Sequence, residues 1–132
     1  MTATARKRVL IVDDDEDVRR SLKHVLGEEF AVILAADGLK GYEAAASQRV
    51  DLVILDVKMP KLDGRTVSAM LRQDPRTENV PILMLSVMAS KDDVLEGKLC
   101  GADDYMGKPF DAEDLLSRVR RLTASPRPLK KG

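Results

Sequence analysis

Four short apolar runs punctuate the chain: Val9-Leu10-Ile11-Val12, Ala31-Val32-Ile33-Leu34, Leu52-Val53-Ile54-Leu55 and Ile82-Leu83-Met84-Leu85. They are unbroken rather than alternating, which is how strands buried on both faces read. Between them apolar positions recur at helical spacing. Val18, Leu22, Val25 and Leu26 fall at i, i+4, i+7 and i+8, and Leu115, Leu116, Val119 and Leu122 follow a similar course near the C-terminus. Weaker helical patterns occupy about 38–48, 64–72 and 91–100. Strand and helix therefore alternate, and parallel strands need crossover helices that are right-handed almost without exception. A fifth, weaker strand is expected at Asp104-Tyr105-Met106, before the last helix. The pattern predicts a single α/β domain, a five-stranded parallel sheet in the order 2-1-3-4-5 with helices on both faces.

Composition narrows this further. At 132 residues the chain has the size of one domain, with 44% hydrophobic and 33% charged residues. Lys plus Arg and Asp plus Glu both number 22, so no net charge argues for direct nucleic-acid binding or for a membrane surface. The aromatics are Phe30, Tyr42, Tyr105 and Phe110 alone, too few for a flavin-stacking site. Cys100 is the sole cysteine, which excludes an internal disulfide and a Cys/His zinc site. No apolar run is long enough to span a bilayer, and Met1 to Arg8 lacks the apolar stretch of a signal peptide, so a cytoplasmic location is expected. Residues 1–7 read as an N-terminal tail, and 125–132, Ser-Pro-Arg-Pro-Leu-Lys-Lys-Gly, as a C-terminal tail or the start of a linker.

In an open α/β sheet ligands bind beyond the carboxyl ends of the strands, where the strand order reverses. After the first strand come Asp13-Asp14-Asp15-Glu16, after the third Asp56, at the end of the fourth Ser86, and after the fifth Lys108-Pro109. With strands one and three adjacent, Asp13, Asp14 and Asp56 converge in one crevice. Two carboxylates 4 Å apart repel by roughly 4 kcal/mol at an effective dielectric of about 20. Lys108 offers one offsetting charge. The remainder suits a hard divalent cation with oxygen ligands, Mg²⁺ or in its place Mn²⁺, and the absence of nearby His or Cys points away from zinc and copper. Plainer roles compete. Asp15 is best read as the cap of the following helix, Asp13 and Asp14 taken singly suit a cap or a site equally, and Asp56 taken alone suits the start of a turn. What favours a site is that all the candidates lie on one rim of the predicted sheet.

Val-Asp-Asp-Asp after the first strand, Leu-Asp-x-x-Met-Pro-x-x-Asp-Gly around Asp56, Ser86 closing the fourth strand, and Gly101-Ala102-Asp103-Asp104-Tyr105 leading to Lys108-Pro109-Phe110 together resemble the receiver domain of bacterial two-component response regulators. The resemblance covers residues 8–124, with 30 residues from Asp56 to Ser86 and 22 from Ser86 to Lys108. It implies a flavodoxin-like receiver fold and a phosphorelay switch. Asp56 would be the phosphoacceptor. Asp13, Asp14, Asp56 and the backbone carbonyl of Lys58 would hold Mg²⁺, while Lys108 and Ser86 would bind phosphoryl oxygens. Ser86 and Tyr105 would form the conformational switch, and the Lys108-Pro109 peptide would be cis. The implied partners are a sensor histidine kinase or phosphotransfer protein as donor, and a downstream effector or fused output domain. The chain departs from the family pattern in carrying Ser86 for the commoner Thr and Val87 for a smaller Ala. Lys58, Val87 and Met88 are expected to gate access of the attacking water to the phosphate.

The last helix carries Asp114, Arg118, Arg120 and Arg121, with Asp103-Asp104 ahead of the fifth strand, similar to the face through which such domains dimerise when phosphorylated. Alternating charges on a terminal helix also suit a plain solvated face. Val94 and Leu99 stand where matching charges would be sought, and His24, alone on the first helix, reads as structural. Three other functions remain to be weighed: an Asp-nucleophile phosphatase using Asp13-x-Asp15, a flavin carrier, and a receiver-like interaction module that is never phosphorylated.

Overall fold

A computed structural model describes residues 6–87 and 100–124 of the chain. The five expected strands are present: β1 (Arg8–Val12), β2 (Ala31–Ala35), β3 (Leu52–Asp56), β4 (Ile82–Ser86) and β5 (Asp104–Gly107). They form one parallel sheet in the order β2-β1-β3-β4-β5. The helices of the described residues are α1 (Glu16–Leu26), α2 (Gly38–Ser47), α3 (Gly64–Gln73) and α4 (Ala112–Ala124). The helix expected over 91–100 lies outside the described residues except for its last position, Cys100, as do both expected tails except Arg6 and Lys7.

Unbroken apolar runs become fully buried strands because the sheet has a helical layer on each side. Successive side chains of a strand point to opposite faces, so each run divides itself between two cores. Leu10, Val12, Val53, Leu55, Ile82 and Met84 pack on one face with Val67 and Leu71 of α3. Val9, Ile11, Ile54, Leu83 and Leu85 pack on the other with Leu22 and Leu26 of α1 and Leu115 and Val119 of α4. Every residue of β3 and β4 is buried, whereas edge strand β2 is half-buried and leaves Leu34 exposed.

Each helix begins on an aspartate whose carboxylate accepts otherwise unpaired N–H groups. Asp15 takes Asp17 N–H at 2.9 Å, Asp37 takes Lys40 N–H at 2.8 Å, Asp63 takes Thr66 N–H at 3.0 Å and Asp111 takes Asp114 N–H at 2.9 Å. Asp15 therefore has the capping role read from the sequence, and Glu16 and Asp17 in the same turn add negative charge at the positive end of the helix dipole. Close packing of the β3–α3 turn requires Gly64. A Cβ there would lie 2.1 Å from the main-chain oxygen of Asp56.

Candidate functional site

Register brings the acids together. Val12 pairs with Leu55, so the next residues, Asp13 and Asp56, leave neighbouring strands at the same height. Carboxylate oxygens of Asp13, Asp14 and Asp56 all lie within 4.8 Å of one another. Asp13 and Asp56 are buried, at 2% and 6% exposure, while Asp14 stands open to solvent at the mouth. Across the crevice, the turn after β5 is pinned to β4 by a hydrogen bond from Lys108 N–H to Ser86 O at 2.8 Å. From there the Lys108 ammonium reaches Asp13 Oδ2 at 2.8 Å and Asp56 Oδ1 at 3.3 Å. The Lys108-Pro109 peptide is cis.

The electrostatics follow from burial. Asp56 is pushed up from 3.8 to about 6, first by loss of hydration and then by the charge of Asp13, with Lys108 pulling the other way and Asp14 adding a little. Burial opposes the charge of Lys108, yet the hydrogen bond and charge of Asp13, followed by those of Asp56, outweigh it and hold the ammonium above its ordinary value. Three carboxylates face one ammonium, so two negative charges remain to be offset. An all-oxygen donor set with excess negative charge and an open side fits a hard divalent cation that keeps water ligands.

Ser86 is fully buried at the end of β4, one residue beyond Leu85, which pairs with Asp56. Tyr105 is 7% exposed and belongs to the core on the same face of the sheet as α3. Lys58 is exposed, Val87 is 67% exposed on the rim, and Met88 lies outside the described residues. His24 is exposed on α1, away from the crevice. On α4, Arg118 contacts Asp104 at 2.8 Å and Asp114 at 3.1 Å, while the largely exposed Arg121 and Arg120 contact Asp104 and Glu29, each at 2.7 Å, as on a solvated face. Val94 and Leu99, weighed for a dimer face, lie outside the described residues.

Arg19 escapes the sequence reading. Its Nη1 donates to the main-chain oxygen of Asp13 at 2.7 Å. The available signal was helical geometry: a side chain in the second turn of α1 leans back towards the N-terminus and the acidic loop.

The pattern described as the response regulator receiver domain matches residues 9–120. The DNA-binding dual master transcriptional regulator RpaA of Synechocystis sp. is 43% identical over 116 residues, which is 87% of this chain and 48% of that protein. The chain spans about half the length of the curated relatives it matches. Among solved structures, the chemotaxis protein CheY4 of Vibrio cholerae superposes with a TM-score of 0.85 at 35% identity, covering 89% of this chain and 99% of that one. The receiver domain of a sensor histidine kinase of Pseudomonas aeruginosa, described with a magnesium ion coordinated in its active-site cleft, superposes with a TM-score of 0.85 at 29% identity, covering 92% and 100%. By the extent of the matched pattern and the identity to its relatives, this chain belongs to the family of response regulator receiver domains.

Proposed function

We propose that the chain is a phosphorelay switch in which Asp56 accepts a phosphoryl group from a phosphohistidine of a sensor histidine kinase or phosphotransfer protein. The observation that carries this reading is the convergence of Asp13, Asp14 and Asp56 on one point with Lys108 bridging two of them. A carboxylate is a competent nucleophile towards phosphorus. An oxygen of Asp56 forms the new P–O bond as the P–N bond of the donor breaks, and the electron pair of that bond returns to the imidazole. Asp13, Asp14, Asp56 and the carbonyl of Lys58 are the groups that would hold Mg²⁺, or Mn²⁺, which when bound neutralises charge on the transferring group. Lys108, held beside Asp56 at 3.3 Å, would supply the same neutralisation, and the Ser86 hydroxyl would donate to a phosphoryl oxygen. Water hydrolyses the acyl phosphate and resets the switch, with Lys58, Val87 and Met88 setting its access.

The new dianion draws Ser86 towards it and alters the packing of Tyr105, the bistable step that couples modification to output. The face made by β5 and α4 is the proposed surface for an effector, an output domain or a second phosphorylated copy. Residues 8–124 form the switch, with 1–7 and 125–132 flanking it. No helix of the described residues is long and apolar enough to cross a membrane. A D-x-D phosphatase would need Asp15 free beside Asp13, yet Asp15 caps α1, its carboxylate accepting from Asp17 N–H at 2.9 Å. A flavin carrier would need a loop that attracts phosphate, where this one is acidic.

The test is incubation with Mg²⁺ and acetyl phosphate, read by intact mass, in wild type and in Asp56→Asn. An acid-labile phosphoryl adduct on wild type alone supports the proposal. An adduct that survives in the variant, or turnover of phosphomonoesters, refutes it, and a chain that never takes up phosphate is the unphosphorylated interaction module.

A further inference from the structure

We propose that Arg19 is a positioning residue for the cation-holding acids: it fixes the peptide that joins Asp13 to Asp14 and thereby aims the Asp14 carboxylate. This rests on the reading of Asp13, Asp14 and Asp56 as a cation site, and it concerns a side chain outside that set.

Asp13 is clamped on every polar group it has. Its N–H donates to Ala35 O at 3.2 Å, its carbonyl accepts from Arg19 at 2.7 Å, Oδ1 accepts from Asp15 N–H at 2.9 Å and Oδ2 from Lys108 at 2.8 Å. Asp14 is the opposite case. It is exposed, and among the described residues no hydrogen-bond donor holds its carboxylate. Its direction is therefore set by the main chain, and the peptide on its N-terminal side is the one whose oxygen Arg19 holds. The location of Arg19 is itself informative. A cation so near the N-terminus of α1 works against the helix dipole, so the half-buried guanidinium is there at a cost that its contact with the loop offsets. Arg20, beside it, is exposed and makes only the i, i+4 pair with Glu16 at 3.0 Å.

Two effects of Arg19 oppose each other in sign. Its positive charge repels an incoming cation, so as a charge alone its removal tightens Mg²⁺ binding. As a clamp on the loop, its removal lets Asp14 wander and weakens binding. The sign of the change decides between them.

The experiment is calorimetric titration of the full chain with Mg²⁺ in wild type, Arg19→Met, Arg19→Lys and Arg20→Met, alongside thermal unfolding without Mg²⁺. Removing outer-shell support weakens metal binding by about tenfold in the lower part of its usual range. That loss is expected for Arg19→Met, with its Mg²⁺-free unfolding midpoint close to that of wild type. Arg19→Lys, which keeps a donor without the planar fork, is expected to bind more weakly than wild type and more tightly than Arg19→Met, and Arg20→Met no more weakly than wild type. Equal or tighter binding by Arg19→Met overturns the proposal. So does an equal loss in Arg20→Met. If Arg19→Met does not fold, Arg19→Lys decides by the same sign. A wild type that takes up no Mg²⁺ removes the cation site itself, an outcome distinct from a wild type that binds while the Arg19 variants bind as well.

Discussion

Replacing Asp56 by Asn should stabilise the protein in Mg²⁺-free buffer at neutral pH, although it removes the residue on which the proposed chemistry depends. The folded state holds the Asp56 proton up to about pH 6, whereas the unfolded chain releases it near the ordinary 3.8. Below pH 3.8 both states are protonated and the group makes no difference between them. As pH rises from 3.8 to about 6 the unfolded state gains from ionising and the folded state does not, so stability falls across that window. Above it the full penalty is present. At 1.36 kcal/mol per tenfold change in proton affinity the gap is roughly 3 kcal/mol, and water at the open mouth of the crevice screens part of it, leaving about 2 kcal/mol. For a domain of this size that is a rise in unfolding midpoint of roughly 5–8 °C. Urea unfolding of wild type and Asp56→Asn at pH 4, 5, 6 and 7.5 should give curves that nearly coincide at the acid end and separate with pH in favour of the variant. Mg²⁺ at ten times its dissociation constant should return about 1.4 kcal/mol to the wild type and close much of the gap. A variant no more stable than wild type at pH 7.5, or a difference that does not grow with pH, would show that burial and Asp13 do not strain Asp56 as described.

Three further outcomes are expected. Arg72→Met should lower stability by about 2–3 kcal/mol in urea unfolding, because its side chain is 15% exposed, pairs with the half-buried Asp103 at 2.9 Å and donates to Gly101 O at 3.0 Å and Val80 O at 2.6 Å, so that its loss removes the charge partner of that carboxylate and a donor to both carbonyls. Gly64→Ala should cost about 2–3 kcal/mol and weaken Mg²⁺ binding, since the added carbon meets the Asp56 oxygen at 2.1 Å and the main chain carrying the acceptor must move. Lys108→Met should tighten Mg²⁺ binding by removing a cation that sits 2.8 Å from Asp13, while slowing phosphorylation by acetyl phosphate; weaker binding of Mg²⁺ would mean that Lys108 organises the acids rather than competing with the ion.

The fold was legible because the apolar runs and the helical spacings do not overlap. A run such as Leu52-Val53-Ile54-Leu55 has no polar face, so it can only lie between two covered faces, and all of β3 is buried. The weaker helices were readable in place but not in their ends. The pattern over 64–72 continues to Gln73 because Asp74 turns the chain there, and the pattern over 38–48 stops at Ser47 because Gln48 is already extended. Even the weak fifth strand appears where Asp104-Tyr105-Met106 stood, lengthened by Gly107 through its pairing with Ser86.

What the sequence could not supply was pairing at long range. It put Asp13 and Lys108 on one rim, but 95 residues separate them, and their contact at 2.8 Å follows from strand order and from the tie between Lys108 N–H and β4. The same holds for α4, where Arg118 looks like one charge among several along the chain. Only the turn of β5 beneath the helix shows that its guanidinium bridges Asp104, Asp114 and the carbonyl of Tyr105, the last at 3.2 Å. That carbonyl belongs to the proposed switch residue, and its partner lies on the helix of the proposed output face. Any displacement of the Tyr105 main chain must therefore either carry Arg118 with it or break a hydrogen bond to a charged donor, worth about 1.5–3 kcal/mol, which couples the backbone of β5 to the charges on the surface of α4.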